Sequence, residues 1–590
     1  MITRMTMPAL AVMLTLSSAL SCSNPGQTSG QQTYVNPIVH ADYSDPDVIR
    51  VGDDFYMTAS SFNCMPGLPI LHSKDLVHWT IVNYALENYP VEGWNDRIQH
   101  GNGIWAPAIR HHDGHWYIYC GDPDRGIFMV RADDPKGKWS EPIWVVEAKG
   151  FIDPCPFWDE DGKAYLSHGC AGSRAGLKSV LFVAEMSADG TRLLSDSRVV
   201  YDGHATQPTI EGTKFYRKDG NYYIFSPAGG VPTGWQVVLR SDNPFGPYEE
   251  RVVMAQGGSR VNGPHQGGWV DTPDGKDWFI HFQDKDAYGR ILHLQPMNWT
   301  EDGWPVIGID DDGDGVGNPV DEYVMPVSVT SCDCGAWPAG YAVADLSPEG
   351  IAKANSMLLP DLSWQWQADP GPYWFKPLPE AGESPADLMA SPAFRLYSVE
   401  QPSGWESLAD TPNLLLKKFS ASDFEIMADM EFVPNPQLEE HGEEAGLVVM
   451  GLDYTVLKFV DKADGVRLVL ARGRNVLWES EPLAGTDSGI PYSNRYMSTS
   501  VPPVPPIIYT SYSAVLKLSV RSQDREGNVP VPMCSFSWSS DGGQTFVGIP
   551  GTYPALQGRW IGAKVGVFCN RHAGKNDSGH VDIRWKEFRK

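Results

Sequence analysis

Short runs in which apolar and polar residues alternate dominate this 590-residue chain, and no long stretch follows the 3.6-residue period of an amphipathic helix. In the first half, an acidic or Gly-containing turn followed by a strand rich in aromatic residues recurs five times. The turn acids of these copies lie 48 to 59 residues apart: Asp54, Asp113, Asp161, Asp219 and Asp274. Asp-Gly before a strand favours a hairpin, and a repeat of this length is typical of repeat architectures. The pattern predicts a five-bladed β-propeller, with a long β-sandwich of similar hairpins as the alternative.

The second half of the chain, from about residue 335, has a different pattern. Strands with a period of two alternate with segments rich in Gly, Asp and Pro. Examples are residues 424–432, 446–452, 466–471 and 514–520. Such runs predict an antiparallel β-sandwich. The predicted fold class is therefore all-β, with an N-terminal five-bladed β-propeller followed by a C-terminal antiparallel β-sandwich.

The N-terminus has the features of a bacterial lipoprotein signal. Arg4 supplies positive charge, and residues 8–20 form an apolar run too short to span a bilayer. Residues 19–22 resemble a lipoprotein cleavage box, which predicts Cys22 as the lipidated first residue of the mature chain. Ordinary signal cleavage near the same place is the alternative. We expect an exported protein, facing the periplasm or the cell surface, that touches the membrane only through this anchor.

These patterns divide the chain into four predicted segments. They are a signal peptide with lipobox at 1–22, a flexible tether at 23–32, the propeller at 33–335 and the sandwich at 336–590.

Charge and cysteine content narrow the function classes. The formal net charge of −27 argues against nucleic acid and anionic membranes as partners, whereas a neutral sugar is compatible with it. The nine cysteines show no zinc spacing and no accompanying His cluster. We expect most of them to be small buried side chains.

Three acids stand just before or at the start of inner strands of the predicted propeller. Asp45 precedes the first inner strand, Asp153 the third and Glu211 the fourth. Inner strands line the propeller axis, so the three carboxyl groups are predicted to converge on one mouth although they are far apart in sequence. Glycoside hydrolysis needs one carboxylic acid to protonate the leaving oxygen and one carboxylate to activate water or attack the sugar. A nearby like charge raises the pKa of an acid, which keeps a proton donor protonated near neutral pH.

Other candidate side chains belong to the second and fifth units. Trp105 could stack on a sugar, or it could belong to the core of its blade. His265 has three open roles: a buried hydrogen-bonding residue, a sugar contact or a metal ligand. Arg290 could bind a sugar hydroxyl or steady a carboxylate.

The acidic segment 310–321 could hold calcium. Asp310, Asp312, Asp314 and Asp321 fall on calcium-loop positions, but flanking helices are not evident and Pro319 interrupts the loop. A solvated acidic turn is the alternative. No cofactor is expected to be required for activity.

At these residues the chain resembles glycoside hydrolase family 43, near the β-xylosidases and α-L-arabinofuranosidases. The resemblance covers the propeller half and reaches the sandwich through residues 558–566. The stretches that carry it are Asn36-Pro37 through Asp47, Ala59-Ser-Ser-Phe62 with Pro66-Gly67, His72-Ser-Lys-Asp75, Ile104-Trp-Ala-Pro107, Asp153-Pro154, Glu211-Gly212 and His265-Gln-Gly267. Two departures are Thr213, where proline is common, and a less aromatic pocket side at residues 63–65.

The resemblance implies a role for each candidate residue. Asp45 would be the general base, Glu211 the general acid, and Asp153 the residue that orients Glu211 and raises its pKa. Arg290 would contact the bound sugar. Trp105 and Phe62 would wall the terminal-sugar pocket. A structural calcium or a water network near His265 occurs in family members, as does an inverting mechanism that leaves room for water between base and acid.

The sequence therefore predicts an exo-acting hydrolase that releases terminal α-L-arabinofuranosyl or β-D-xylosyl groups from hemicellulose oligosaccharides such as those of arabinoxylan and xyloglucan. A non-catalytic glycan-binding lipoprotein on the same scaffold is the alternative. It would require a missing or misdirected catalytic acid, and none of the three acids is missing. A retaining hydrolase of the fructan type would require a Trp-Met-Asn-Asp-Pro-Asn-like start, which the chain lacks.

Overall fold

The computed structural model contains two domains built almost entirely of β-strands. It describes residues 32–327, 340–378, 392–401, 404, 406–437, 441–487, 509–525, 528–572 and 577–589. Cys22 and the signal segment lie outside the described residues. The helices in this part of the chain are α1 (Gly172–Ala175) and α2 (Pro348–Ser356), with short 3-10 turns at Trp94–Asp96, Asp286–Tyr288 and Leu408–Asp410. None of the described helices has the length and apolar character needed to cross a membrane.

The first domain is a five-bladed β-propeller, as predicted, and β1 (Thr33–Val35) precedes its first blade. Each blade contains four consecutive antiparallel strands. Blades one and two contain β2 (Asp47–Val51), β3 (Asp54–Thr58), β4 (Gly67–Ser73), β5 (Trp79–Leu86), β6 (Trp105–His112), β7 (His115–Asp122), β8 (Gly126–Ala132) and β9 (Ile143–Glu147). Blade three contains β10 (Phe151–Trp158), β11 (Ala164–Cys170), β12 (Val180–Met186) and β13 (Arg198–Asp202). Blades four and five contain β14 (Lys214–Lys218), β15 (Asn221–Ala228), β16 (Trp235–Ser241), β17 (Glu249–Met254), β18 (His265–Asp271), β19 (Asp277–Asp284), β20 (Arg290–Trp299) and β21 (Pro305–Ile307).

The repeated Asp-Gly turns form the inner hairpins of the blades. At Asp113-Gly114 and Asp219-Gly220 both residues have positive φ, between 48° and 84°. The flanking residues pair directly, His112 with His115 in one hairpin and Lys218 with Asn221 in the other. A two-residue loop with two positive φ values matches the twist of the strands, and Asp-Gly adopts it readily.

The N-terminal segment joins the first blade to the last. Tyr34 packs against Trp278 of blade five, with ring centroids 6.2 Å apart. The side chain of Asn36 donates to the backbone carbonyl of Leu294 at 2.8 Å, and Val39 forms a β-bridge with Leu292. After the propeller, β22 (Glu322–Val324) pairs with β1, and β23 (Ala342–Ala344) adds a parallel strand to β5 of blade one.

The second domain is a β-sandwich of two packed sheets, which confirms the predicted fold. The first sheet contains β24 (Trp364–Trp366), β27 (Val399–Glu400), β28 (Leu415–Lys418), β30 (Glu444–Met450), β31 (Tyr454–Lys462), β32 (Gly465–Arg472), β33 (Asn475–Glu479) and β39 (Lys564–Arg571). The second contains β25 (Phe375–Pro377), β26 (Ala393–Tyr397), β29 (Phe424–Val433), β34 (Thr486–Asp487), β35 (Thr510–Arg525), β36 (Asn528–Ser539), β37 (Val547–Gly548), β38 (Tyr553–Pro554) and β40 (His580–Arg589). Alternate residues of facing strands, such as Leu447 and Phe432, are buried between the sheets.

The two domains touch through direct hydrogen bonds. The hydroxyl of Tyr84 donates to the Leu362 carbonyl at 2.9 Å, and the Gly562 N–H donates to Asp42 Oδ2 at 3.1 Å. The backbone of Gly562 lies so close to Gly289 that a Cβ atom on Gly562 would lie 2.7 Å from the Gly289 Cα. The sandwich is therefore docked beside the strand that begins at Arg290.

Candidate active site

A pocket of about 110 Å³ lies where the inner strands of the propeller begin. All three predicted catalytic acids line it. Asp45 precedes β2, Asp153 lies in β10, and Glu211 precedes β14. The other lining residues are Phe62, Trp105, Ala106, Ile152, Val231, Gln266, Arg290 and Trp560. The structure thus brings together three carboxyl groups that are separated by up to 166 positions in the sequence.

Irregular backbone at the starts of the inner strands aims side chains into this pocket. The pairing register shifts around Ala106 in β6, Asp153 in β10 and Gln266 in β18, and all three have positive φ, of 41°, 57° and 32°. Asp45 and Phe62 also have positive φ, of 55° and 54°. Such conformations are costly for residues other than glycine, and β-bulges re-aim side chains. The concentration of strain at one pocket marks it as a functional site.

Asp45 is held by two side-chain hydrogen bonds. Ser60 Oγ donates to Asp45 Oδ2 at 2.6 Å, and Arg290 Nη1 donates to Asp45 Oδ1 at 3.1 Å. Ser60 is fixed in turn, because the Ala106 N–H donates to its oxygen at 2.7 Å. Asp45 is only 6% exposed. A nearly buried carboxylate with a guanidinium partner is oriented and electrostatically matched.

Asp153 is attached to the segment that carries Glu211. Its Oδ2 accepts from the Gly212 N–H at 2.8 Å, and its backbone carbonyl accepts from the Thr213 hydroxyl at 2.8 Å. Ser167 donates to Thr213 Oγ1 at 2.9 Å, so the hydroxyl of Thr213 both donates and accepts. A proline at this position would have no hydroxyl. Thr213 therefore adds a hydrogen bond that links the segment of Asp153 to the segment of Glu211.

The pKa values of two acids are raised. Burial raises the pKa of Asp153 to about 7, against the opposing effect of the Gly212 N–H, and the Asp45 charge adds to the increase. Burial raises the pKa of Glu211 to about 8, and the charges of Asp153 and then Asp45 raise it further. A carboxyl group with such a pKa carries a proton near neutral pH, as a general acid must.

His265 lies behind Glu211. Its Nε2 is 3.9 Å from Glu211 Oε1, and the side chain is 1% exposed. Neither ring nitrogen has a hydrogen-bond partner among the described residues, and burial lowers the pKa of His265 to about 3. The pocket lining contains its neighbour Gln266. A sugar contact by His265 itself stays a prediction.

Three aromatic rings form the wall of the pocket. Phe62 and Trp105 pack edge to face with centroids 6.4 Å apart, and Trp105 packs against Trp560 at 6.1 Å. The guanidinium of Arg174 lies 5.8 Å from the Trp105 ring centroid. Trp560 belongs to the sandwich and is 48% exposed. The sequence pattern does not identify Trp560 as a pocket residue, although the segment 558–566 carries part of the family resemblance.

The acidic loop brings three carboxylates together. One ligand oxygen from each of Asp310, Asp312 and Asp314 lies within 4.8 Å of the others. Both oxygens of Asp310 already accept backbone N–H groups, from Gly313 at 2.7 Å and Gly315 at 2.9 Å. Asp321 is paired instead with Arg260 at 2.9 Å. Calcium at this loop or near His265 stays a prediction.

In this pocket Glu211 holds a proton and Asp45 is paired with the cation Arg290. Hydrolysis of a glycosidic bond uses one carboxyl group of each kind. The class of protein that this fold and site define is a glycoside hydrolase. Comparison with known families gives the particular family. Residues 34–305 match the model of glycosyl hydrolases family 43, and residues 359–589 match the β-xylosidase C-terminal concanavalin A-like domain. The chain belongs to glycoside hydrolase family 43, which confirms the resemblance.

Several curated proteins are similar to this chain. A β-xylosidase from Formosa agariphila is 30% identical over 599 residues, which cover 94% of this chain and 90% of that protein. A putative β-xylosidase from Xylanibacter ruminicola is 43% identical over 341 residues, and the match spans 58% of this chain and only 60% of that protein. A non-reducing end α-L-arabinofuranosidase from Bacteroides ovatus is 30% identical over 470 residues, which cover 75% of this chain and 78% of that protein.

Solved structures share the arrangement of both domains. A mutant of a family 43 protein from Bacillus licheniformis has a TM-score of 0.71 at 22% identity and covers 95% of this chain and 100% of its own. A xyloglucan-locus family 43 protein from Bacteroides ovatus has a TM-score of 0.69 at 22% identity, with 94% and 99% covered. These likenesses concern the fold alone.

Proposed function

We propose that the protein is an exo-acting hydrolase that removes single α-L-arabinofuranosyl or β-D-xylosyl groups from the non-reducing ends of hemicellulose oligosaccharides. The observation that carries the proposal is the placement of three acids around one small pocket. Its volume of about 110 Å³ is well below the roughly 300–1,000 Å³ of pockets that enclose drug-sized ligands. A pocket of this size suits a single sugar ring and exo-action.

The proposed mechanism is a single displacement with inversion. Asp45, fixed by Ser60 and Arg290, is the general base that takes a proton from water as the water attacks the anomeric carbon. Glu211, protonated because its pKa is about 8, gives its proton to the leaving glycosidic oxygen. Asp153 positions the acid through Gly212 and supplies part of the charge that keeps it protonated. Inversion requires about 6.5–9.5 Å between base and acid, so that water fits between them.

The proposal of both pentoses rests on the pocket and on the relatives. Among the similar proteins, some are named β-xylosidase and one α-L-arabinofuranosidase. Trp105 and Phe62 offer apolar faces to either ring, and Arg290 offers a guanidinium to a hydroxyl. Arabinoxylan and xyloglucan oligosaccharides are the proposed natural substrates.

Pentose release tests the proposal directly. Purified protein is incubated with nitrophenyl α-L-arabinofuranoside, nitrophenyl β-D-xyloside, and oligosaccharides of arabinoxylan and xyloglucan. Release of pentose from at least one of these is expected. Asp45→Asn should lose this activity on every substrate and Glu211→Gln on the oligosaccharides, and both variants should keep the wild-type melting temperature. Binding without any turnover would instead establish the glycan-binding alternative, which is disfavoured because all three acids are present. Trapping a covalent glycosyl-enzyme would contradict inversion.

We also propose that the chain is a lipoprotein anchored at Cys22, with its catalytic domain in the periplasm or at the cell surface. Residues 19–22 and the preceding apolar run support this. Metabolic labelling with a palmitate analogue should mark the wild-type chain and not Cys22→Ser. Protease treatment of intact cells then distinguishes the two locations.

A further inference from the structure

A second cavity, of about 360 Å³, lies between the propeller and the sandwich. It borders the active-site pocket through three segments of chain. Asn63 follows the pocket residue Phe62, and Arg559 precedes Trp560. The third segment contains Gly101, whose carbonyl accepts from Trp105 Nε1 at 2.8 Å. The cavity and the active-site pocket are therefore built partly from the same segments of chain.

The charges that line the cavity are all of one sign. Its lining contains the basic side chains of Lys564, Arg559 and His100 and the amides of Asn63 and Gln367, but no carboxylate. This composition is unusual for a chain with a net charge of −27. The side chains that line the cavity therefore carry positive and no negative charge.

Lys564 is a buried cation without an anionic partner. It is 4% exposed, and its Nζ donates to Cys64 Sγ at 2.9 Å. Among the described residues, no Asp or Glu lies within ion-pair distance of it. A thiol is a weak acceptor, and a buried charge is costly unless it is paired. Within the described part of the protein, the ammonium group of Lys564 thus has no carboxylate as a counter-charge.

Asp42, an acid at the same contact between the domains, already accepts hydrogen bonds from two backbone N–H groups. Its Oδ1 accepts from the Arg290 N–H at 2.9 Å, and its Oδ2 accepts from the Gly562 N–H. Asp42 also favours the charged form of Lys418, the cross-strand neighbour of Lys564. Burial nevertheless lowers the pKa of Lys418 to about 7. The cluster therefore has more cationic groups than carboxylates.

Arg559 adds a second cationic side chain to the cavity. The backbone of Arg559 is held in place, because its carbonyl oxygen lies so close to Gly101 that a Cβ atom on Gly101 would be 2.8 Å from that oxygen. Within the described part of the chain, its guanidinium has no hydrogen-bond partner. His100 is a weaker contributor, because burial lowers its pKa and its Nε2 lies 4.0 Å from Asp410.

We propose that this cavity binds an anion, through Lys564 and Arg559, and that the anion is a carboxylate of a sugar acid or a free small anion of the same charge. A carboxylate accepts several hydrogen bonds at once and matches both an ammonium and a guanidinium. If the source is a uronic acid on the leaving oligosaccharide, the inference rests on the proposed function. In that case the cavity selects acidic hemicellulose fragments.

Binding to the full chain tests the inference without turnover. Sodium glucuronate, sodium chloride and sodium phosphate are titrated at matched ionic strength, with glucose as the neutral control, by calorimetry and by the shift in melting temperature. Glucuronate is expected to bind the wild type. Its Kd is expected to rise at least tenfold in Lys564→Met and in Arg559→Gln. Arg474→Gln, which removes an exposed arginine paired with Glu406 in the same domain, should leave the Kd unchanged.

Each outcome decides one point. Glucuronate bound more tightly than chloride or phosphate assigns the site to a sugar acid, whereas equal binding of all three assigns it to a free anion. The inference is overturned if the wild type binds none of the three anions detectably, if glucose binds as tightly as glucuronate, or if the Kd is unchanged in both variants. Arg559 is exposed, so Arg559→Gln keeps the test valid if Lys564→Met fails to fold. Pentose release is not measured, so failure of the proposed hydrolysis would not produce the same result.

Discussion

Replacing Asp153 by asparagine should make the protein more stable at alkaline pH while damaging catalysis. The side chain is 4% exposed, and burial is the main reason that its pKa is raised to about 7. Asparagine has nearly the same shape and can still accept from the Gly212 N–H. The substitution therefore removes a titrating charge with little change in packing.

The size of the effect follows from the difference in pKa between the folded and unfolded chains. The ordinary value is 3.8 and the folded value is about 7. At 1.36 kcal/mol for each pKa unit, this is roughly 4 kcal/mol. Because the folded pKa is the higher one, the wild-type contribution is fully present below pH ~4 and is lost as pH rises through about 7. The melting temperature of Asp153→Asn, minus that of the wild type, should therefore increase by several degrees between pH 4 and pH 8.

The same variant should change the pH dependence of activity. The Asp153 charge is, after burial, the largest cause of the raised pKa of Glu211, about 8 in the wild type. Without it, Glu211 loses its proton at lower pH. The alkaline limb of kcat/KM, measured on an unactivated pentose disaccharide, should move to lower pH in Asp153→Asn.

An exposed acid of the same blade provides the control. Asp161→Asn, in the turn before β11, should change neither the alkaline limb nor the pH dependence of the melting temperature. A stability difference between Asp153→Asn and wild type that is the same at every pH would refute the argument from burial. An unmoved alkaline limb would refute the electrostatic link to Glu211.

Four further predictions concern the base, the acid, the aromatic residue from the sandwich and the domain contact. Asp45→Asn should lower kcat by a factor of about 10²–10⁴ on every substrate. Glu211→Gln should slow the hydrolysis of an unactivated disaccharide far more than that of a dinitrophenyl pentoside, because the dinitrophenyl leaving group needs no proton. Equal losses of activity on both substrates would contradict the role of Glu211 as the acid. Trp560→Ala should raise KM for oligosaccharides about fivefold, because roughly 1 kcal/mol of ring contact is lost, and should raise KM for nitrophenyl pentosides less. Gly562→Ala should lower the melting temperature and reproduce that KM change, but Gly548→Ala, which meets open space, should do neither.

The propeller could be predicted because its evidence is local and repeated. Each Asp-Gly turn specifies its own hairpin, as Asp113-Gly114 and Asp219-Gly220 show, and five copies at similar spacing leave few architectures. The convergence of Asp45, Asp153 and Glu211 then follows from radial symmetry. The pattern does not reveal the bulge that places Asp153 inside β10 rather than before it.

The rest of the site depends on how two domains pack, and no local pattern records that. Trp560 stands 349 positions after Glu211, in a segment without strand periodicity. It reaches the pocket because the sandwich packs on the propeller, through contacts such as that of Gly562 with Gly289. The contact between Lys564 and Cys64 joins residues 500 positions apart. Neither spacing nor residue type singles out such pairs in one sequence.

The contribution of Trp560 to the pocket has a consequence for how such enzymes diversify. The acids and the residues that hold them belong to the propeller, whereas part of the pocket rim belongs to the sandwich domain. Exchange of that unit between genes, or drift at residues 558–564, could alter which polymers are trimmed while every proton-transferring group stays unchanged. The catalytic residues and the substrate preference can therefore evolve independently in this chain.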